Sequence, residues 1–171
     1  QEIATLFPEA QRILQVEVGI KYLTPDLQLS FYPFYSRLSN VSDNQIFIDE
    51  NNLFYSPPPV YGQIETYGLE FDGEWDINEM FNLRTAMTVQ NPKASGFGLY
   101  VANTAGRTDD TLVLTPSGDA DNNPKFLART TLTMTPVEAV SLFLTHSHVG
   151  KRAANRANAW YMPSYNTFDL G

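Results

Sequence analysis

Apolar and polar side chains alternate one by one along most of this chain, most clearly in residues 66–75. Large apolar side chains occupy odd-numbered positions there: Tyr67, Leu69, Phe71 and Trp75. Acidic side chains occupy even-numbered positions: Glu70, Asp72 and Glu74. Because successive side chains of a β-strand point to opposite faces, the alternation predicts a strand with one apolar and one polar face.

The same period of two recurs in several other segments. These segments are residues 15–22, 27–32, 83–90, 125–135 and 140–150, with a final strand expected to start near Met162. The pattern predicts about seven strands in all, each of about ten residues or more, which is the length that a tilted strand needs to cross a bilayer.

The connections between the predicted strands alternate between short and long. Short ones fall around residues 23–26, 77–81 and 135–139, and long ones at about 40–61, 92–123 and 151–161. Tight turns at one end and long polar loops at the other are typical of an outer-membrane barrel. The chain is therefore predicted to be all-β, an antiparallel up-and-down meander that forms part of a transmembrane β-barrel. A soluble meander is the alternative.

The turn at 77–81 also assigns the faces. It places Glu74 opposite Arg84 on the polar face, where the two would form an ion pair in the barrel lumen. The apolar face, with Tyr67, Leu69 and Phe71, would then contact lipid. Trp75 is close to the short turn, and both it and Tyr22 are expected in an interfacial aromatic girdle.

Composition removes several classes of function. The formal net charge is −8, so we expect no nucleic-acid partner, because phosphate recognition needs a basic surface. Cysteine is absent, which excludes disulfides and thiolate sites within the chain. No apolar run reaches the roughly 18–20 residues of a membrane helix. The start at Gln1 lacks an initiator Met and a leader pattern, so a processed product or an internal piece is expected.

The residues capable of chemistry do not form a recognisable catalytic or metal-binding set. His146 and His148 share one face of a strand but have no evident third ligand. Residues 119–123 begin like a calcium loop, yet Pro124 occupies the position of the required glycine. The acidic side chains of Glu70, Asp72 and Glu74 are better interpreted as part of a polar strand face than as the paired catalytic carboxylates of a glycosidase. We therefore expect no catalytic residue, no cofactor and no metal in this chain, and we expect that the protein is not an enzyme.

Aromatic residues in and beside the long loops are the candidates for ligand contact. They are Phe47, Tyr55, Tyr61, Phe97 and Tyr100. Such rings either contact a ligand or pack the loops against one another, and the sequence leaves both roles open.

Several short motifs, in order along the chain, resemble TonB-dependent siderophore receptors. They are Pro8-Glu9 followed by Glu17-Val18-Gly19-Ile20-Lys21-Tyr22, then Gly68-Leu69-Glu70, Asn123-Pro124, Gly150-Lys151-Arg152, Asn155, Asn158 and Met162-Pro163-Ser164-Tyr165-Asn166-Thr167-Phe168-Asp169. Each is weak alone, but their order and spacing together identify the resemblance.

The resemblance implies a 22-stranded, plugged barrel in the bacterial outer membrane. Residues 1–171 would be part of that barrel, with the plug domain, the TonB-contacting region and the closing strands absent. The implied function is uptake of a ferric siderophore or a similar scarce ligand, with TonB and membrane lipid as partners. The alternative is a soluble or surface-attached β-sheet module that binds a ligand such as carbohydrate.

Overall fold

The computed structural model describes residues 10–48, 51–101 and 111–171, and Pro8-Glu9 lies outside them. The strands in chain order are β1 (Arg12–Glu17), β2 (Ile20–Leu23), β3 (Leu27–Asp43), β4 (Phe47–Ile48), β5 (Phe54–Tyr55), β6 (Val60–Asp76), β7 (Phe81–Ser95), β8 (Gly98–Val101), β9 (Thr111–Leu114), β10 (Gly118–Asp119), β11 (Phe126–Val137), β12 (Val140–Val149), β13 (Arg152–Ala153), β14 (Tyr161–Met162) and β15 (Tyr165–Leu170). Within these residues, no helix is long and apolar enough to cross a bilayer.

One large antiparallel sheet organises the described residues. Its strand order is β1-β3-β6-β7-β11-β12-β15, with β2 also paired to β3 and β10 to β7. Sequential strands are therefore neighbours throughout, as in a meander. Short turns join β2 to β3, β6 to β7 and β11 to β12, whereas long loops join the remaining pairs. The predicted fold class and its alternation of short and long connections are confirmed.

The first predicted strand, residues 15–22, is interrupted. β1 ends at Glu17 and β2 begins at Ile20, and both pair with β3. Between them, the backbone N–H of Val18 donates to the carbonyl oxygen of Pro33 at 3.1 Å. The ring of Tyr32 covers Gly19 so closely that an added Cβ would lie 3.0 Å from it. The break therefore occurs where an aromatic ring from β3 lies over a glycine.

The register between neighbouring strands places apolar residues beside apolar residues and polar residues beside polar residues. One row of directly paired residues is almost wholly apolar: Leu27, Trp75, Leu83, Leu132, Leu144 and Leu170. The next row lies on the opposite face and is polar: Gln28, Glu74, Arg84, Thr131, Thr145 and Asp169. The sheet thus has an apolar face and a polar face, named here after these two rows.

A β-bulge near the long-loop end of β3 changes which side chains share a face. The register of β3 against β6 shifts between Leu38 and Val41, and Asn40 there has a φ of 58°. Because one extra residue is inserted, Leu38 and Val41 both lie on the polar-face side. There they join the principal buried cluster of the described residues, which also contains Ala94, Phe97 and Ala120.

Candidate functional site

The apolar face is open to its surroundings. Val18, Phe31 and Leu69 are 58%, 37% and 41% exposed. A soluble protein buries such side chains in a core, and a continuous exposed apolar surface of this extent marks contact with another phase or another molecule.

Part of the apolar face carries no acidic or basic residue among those that the structure describes. This part extends from the short turns up to the row of directly paired residues Arg37, Glu65 and Lys93. In the described strands, the apolar-face positions below that row carry no Asp, Glu, Lys or Arg. Even the hydroxyl groups of Thr85 and Thr130 are paired with each other, at 3.0 Å. Pairing of polar groups within the protein is what a hydrocarbon environment requires.

The height of this charge-free band fits a bilayer. Trp75 and Glu65 are ten residues apart on β6, or about 33 Å along the strand at about 3.3 Å per residue. With a tilt of about 40°, the band is about 25 Å tall, the height of the apolar belt in outer-membrane barrels. Trp75 lies at its lower edge, and Tyr67 lies one position below Glu65 on the same face. Tyr22 lies on this face close to the first short turn.

The polar face carries an ion pair between adjacent strands. Glu74 pairs with Arg84 in the register, and the Arg84 Nη2 atom lies 2.7 Å from the Glu74 Oε2 atom. Asn82 donates a further, longer hydrogen bond of 3.4 Å to the same carboxylate. An open depression of about 410 Å³ lies over this part of the face and is lined also by Arg129. The arrangement is an open, charged surface suited to contact with water or with polar protein groups.

The two histidines are held by a single asparagine. His146 Nε2 and His148 Nδ1 each lie 2.9 Å from Asn166 Oδ1 on the neighbouring strand. The ring of His146 also stacks on Phe168, with centroids 4.8 Å apart. Among the described residues, no group of three His, Cys, Asp or Glu side chains is placed to hold a metal ion.

Three of the five loop aromatics lie on loops that are tied together. Phe47 and Tyr55 face each other across the β4–β5 pair, with ring centroids 5.6 Å apart. Two residues before Phe47, the side-chain amide of Gln45 donates to the carbonyl oxygen of Gly98 at 2.9 Å. It also accepts from the N–H of Tyr100 at 2.8 Å. Phe47, Tyr55 and Tyr100 therefore belong to one assembly of the first two long loops.

Phe97 takes the packing role that the sequence left open. It is 2% exposed and lies over Gly62, where an added Cβ would be 2.6 Å from its ring. The guanidinium of Arg156, from the third long loop, covers the ring at 3.8 Å. Arg156 also forms ion pairs with Asp121 at 3.1 Å and with Asp43 at 3.7 Å. One arginine thus joins all three long loops.

Tyr61 lies apart from the other candidates. It directly precedes Gly62 on β6, so its side chain points to the opposite side of the sheet from Phe97. Strand alternation alone could have separated Tyr61 from the loop cluster.

In the segment that begins like a calcium loop, both aspartates form ion pairs with basic side chains. The Asp119 carboxylate receives Lys93 Nζ at 2.6 Å and Lys125 Nζ at 2.9 Å, and its side chain is 13% exposed. Burial raises the pKa of Asp119, but hydrogen bonds from the two lysines outweigh it and hold the pKa below its ordinary value. Asp121 is occupied by Arg156. Both carboxylates are thus neutralised by cationic side chains.

The motif around 150–165 fixes the third long loop to the second. Asn158, with a φ of 53°, accepts from the N–H of Asp119 at 2.7 Å and donates to its carbonyl oxygen at 2.9 Å. Lys151 lies over the ring of Tyr161, 4.5 Å from its centroid. The family resemblance included Lys151 and Asn158 among its motif residues, but the sequence did not predict what these side chains contact.

Comparison with known proteins gives a consistent result. Residues 6–171 match the family model described as TonB dependent receptor-like, beta-barrel. No curated protein sequence matches the chain.

Among solved structures, the chain is similar to three uptake receptors. The ferric yersiniabactin uptake receptor FyuA of Yersinia pestis gives a TM-score of 0.64 at 15% identity. The siderophore receptor PiuA of Acinetobacter baumannii gives 0.61 at 14%, and the ferric-catecholate import receptor Fiu of E. coli K12 gives 0.59 at 14%. Each alignment covers 94% of this chain but only 22%, 21% and 20% of the three receptors, respectively. The chain spans about a fifth of their length.

Proposed function

Because the chain belongs to the TonB-dependent receptor β-barrel family, we propose that it forms part of the wall of a receptor in the bacterial outer membrane. The observation that carries this proposal is the division of one sheet into two faces. The charge-free face meets hydrocarbon, and the face with Glu74 and Arg84 meets the aqueous or plugged lumen.

The proposed cargo is a ferric siderophore or a similar scarce ligand. The similar structures are named as receptors for ferric yersiniabactin, for siderophores and for ferric catecholates. In this chain, the assembly that carries Phe47, Tyr55 and Tyr100 offers aromatic surface at the long-loop end of the sheet. We propose that this end faces the cell exterior and contributes to ligand capture.

The proposed mechanism is gated binding and release without covalent chemistry, so the protein acts as a transporter and not as an enzyme. Energy would come through TonB, contacted by a region of the complete receptor outside residues 1–171. The plug and the remaining strands would likewise come from outside these residues, since the similar receptors are about five times as long.

The experiment is uptake of radioactive iron, supplied as defined ferric siderophores, by cells that produce the complete receptor. We expect uptake that stops when TonB is deleted, together with recovery of the receptor in the outer membrane. As a matched pair, Tyr100→Ala is expected to weaken ligand binding, whereas Tyr61→Ala, outside this loop assembly, is not. Recovery of the complete protein in the soluble fraction without detergent would contradict the proposal.

A further inference from the structure

Lysine side chains gather on the sheet just above the charge-free band. Lys93 lies in the first charged row on the apolar-face side. Lys125 immediately precedes Phe126, which pairs with Val89 within the band. Lys93 and Lys125 are about half exposed, at 45% and 49% of their side chains. These two ammonium groups therefore lie at the level where the headgroups of an outer leaflet would begin.

A single carboxylate draws these lysines together. Asp119 binds Lys93 through one oxygen and Lys125 through the other, at 2.6 and 2.9 Å. The hydroxyl of Tyr161 lies 3.4 Å from the same carboxylate, and Lys151 lies over the Tyr161 ring. Each ammonium carries three donors, so contact with one carboxylate leaves Lys93 and Lys125 with donors for a further anion.

The charge of this cluster differs from that of the chain. Two ammonium groups, those of Lys93 and Lys125, contact one carboxylate, and a third, that of Lys151, lies over the Tyr161 ring beside it, whereas the whole chain has a formal net charge of −8. A compact excess of ammonium groups beside an otherwise acidic surface attracts a phosphate, which accepts several charge-assisted hydrogen bonds at once.

We propose that Lys93 and Lys125 bind the phosphate headgroup of an anionic lipid of the outer leaflet, and that Asp119 positions them. A lipid is favoured over a free anion because the cluster is continuous with the apolar face. Acyl chains would extend down the surface formed by Val89 and Phe126, while the phosphate contacts the lysines. This inference rests on the proposed membrane placement.

The test is a titration of the purified complete receptor, in neutral detergent, with fluorescent phosphatidylglycerol. Lys93→Gln/Lys125→Gln removes two charges from the cluster. Lys21→Gln/Arg129→Gln is the matched control, because it removes two positive charges from polar-face positions. A basic residue near an anionic lipid surface contributes about five-fold in affinity, equivalent to about 1 kcal/mol. We expect the first variant to bind about 30-fold more weakly and the control to bind like the unaltered receptor.

Three outcomes would overturn the inference. One is unchanged affinity in the Lys93→Gln/Lys125→Gln variant with its barrel spectrum intact. The second is displacement by inorganic phosphate at the same concentration as by the lipid, which would make this a site for a free anion. The third is a Lys93→Gln/Lys125→Gln variant that binds the lipid like the unaltered receptor but no longer self-associates. That result would make the cluster a contact between two copies of the receptor. Failure of the receptor to require detergent at all would instead contradict the proposed function, so the two failures are distinguishable.

Discussion

Replacing Phe71 with arginine places a charge at the centre of the apolar face. Phe71 lies midway along β6 between Tyr67 and Trp75, four residues from each. Its ring packs against Phe31 of the neighbouring strand, with centroids 5.0 Å apart. The proposed membrane placement puts this position near the bilayer midplane, where an arginine has the greatest cost.

The expected loss of stability has two contributions: the cost of placing an arginine in the bilayer and the loss of the Phe31–Phe71 ring contact. An arginine at the midplane of a β-barrel costs about 2–4 kcal/mol. Loss of the aromatic pair adds about 0.5–1.5 kcal/mol. We therefore expect Phe71→Arg to lower the free energy of unfolding of the complete receptor by about 2.5–5.5 kcal/mol in lipid vesicles.

Asp72→Arg is the matched control, because it introduces the same side chain one residue further on. Asp72 is exposed on the polar face, and Glu70 and Glu74 lie two residues away on either side of it. Its effect is expected to stay within about 0.5 kcal/mol, as for other exposed sites. The measurement is guanidinium unfolding followed by tryptophan fluorescence. Equal destabilisation by the two variants would refute the assignment of the faces.

Three further predictions concern the strands and the loops. Gly68→Ala is expected to lower the unfolding temperature of the complete receptor more than Gly73→Ala. An added Cβ would lie 2.5 Å from a backbone oxygen at Gly68 but no closer than 3.1 Å to side chains at Gly73, so equal shifts would contradict this. Arg156→Met is expected to destabilise the long loops by about 1–3 kcal/mol, through loss of hydrogen bonds to charged groups and of the ring contact. Faster hydrogen exchange in the loops, with unchanged exchange in the sheet, would confirm this local effect. An equal increase of the exchange rate in the loops and in the sheet would contradict it. Finally, the lowered pKa of Asp119 means that its ion pairs stabilise the loops fully above the ordinary value of 3.8 and progressively less as pH falls through the lower native pKa. Loop proteolysis by an acid-active protease should show this loss in the unaltered receptor, whereas Asp119→Asn should lack that pH dependence.

The faces and the pairing of β6 with β7 were predictable from local pattern alone. Alternation reports directly which side of a strand each residue occupies, and a short turn fixes the register of the two strands it joins. For this reason Glu74 and Arg84 could be paired from the sequence. The same logic applies to the alternation of short and long connections, whereas the strands β1, β2 and β15 are shorter than the predicted length of about ten residues.

The loop cluster was not predictable, because its contacts join residues far apart in the chain. Phe97 meets Gly62 and Arg156 only after three long loops have been placed, and no local pattern specifies that placement. The lysine partners of Asp119 were hidden for the same reason. A partial signal did exist: asparagine is enriched at positive φ, and Asn40 and Asn158 both adopt it at positions where the regular pattern breaks.

The bulge at Asn40 allows β3 to serve two environments within one continuous strand. Below it, odd-numbered side chains such as Phe31 lie on the surface proposed to contact lipid; above it, the odd-numbered Val41 lies on the interior side with the loops. The insertion therefore uncouples the two halves of the strand. Substitutions at the end proposed to face the ligand need not disturb the half proposed to lie in the bilayer, so in that arrangement binding specificity and membrane anchoring can diverge independently in evolution.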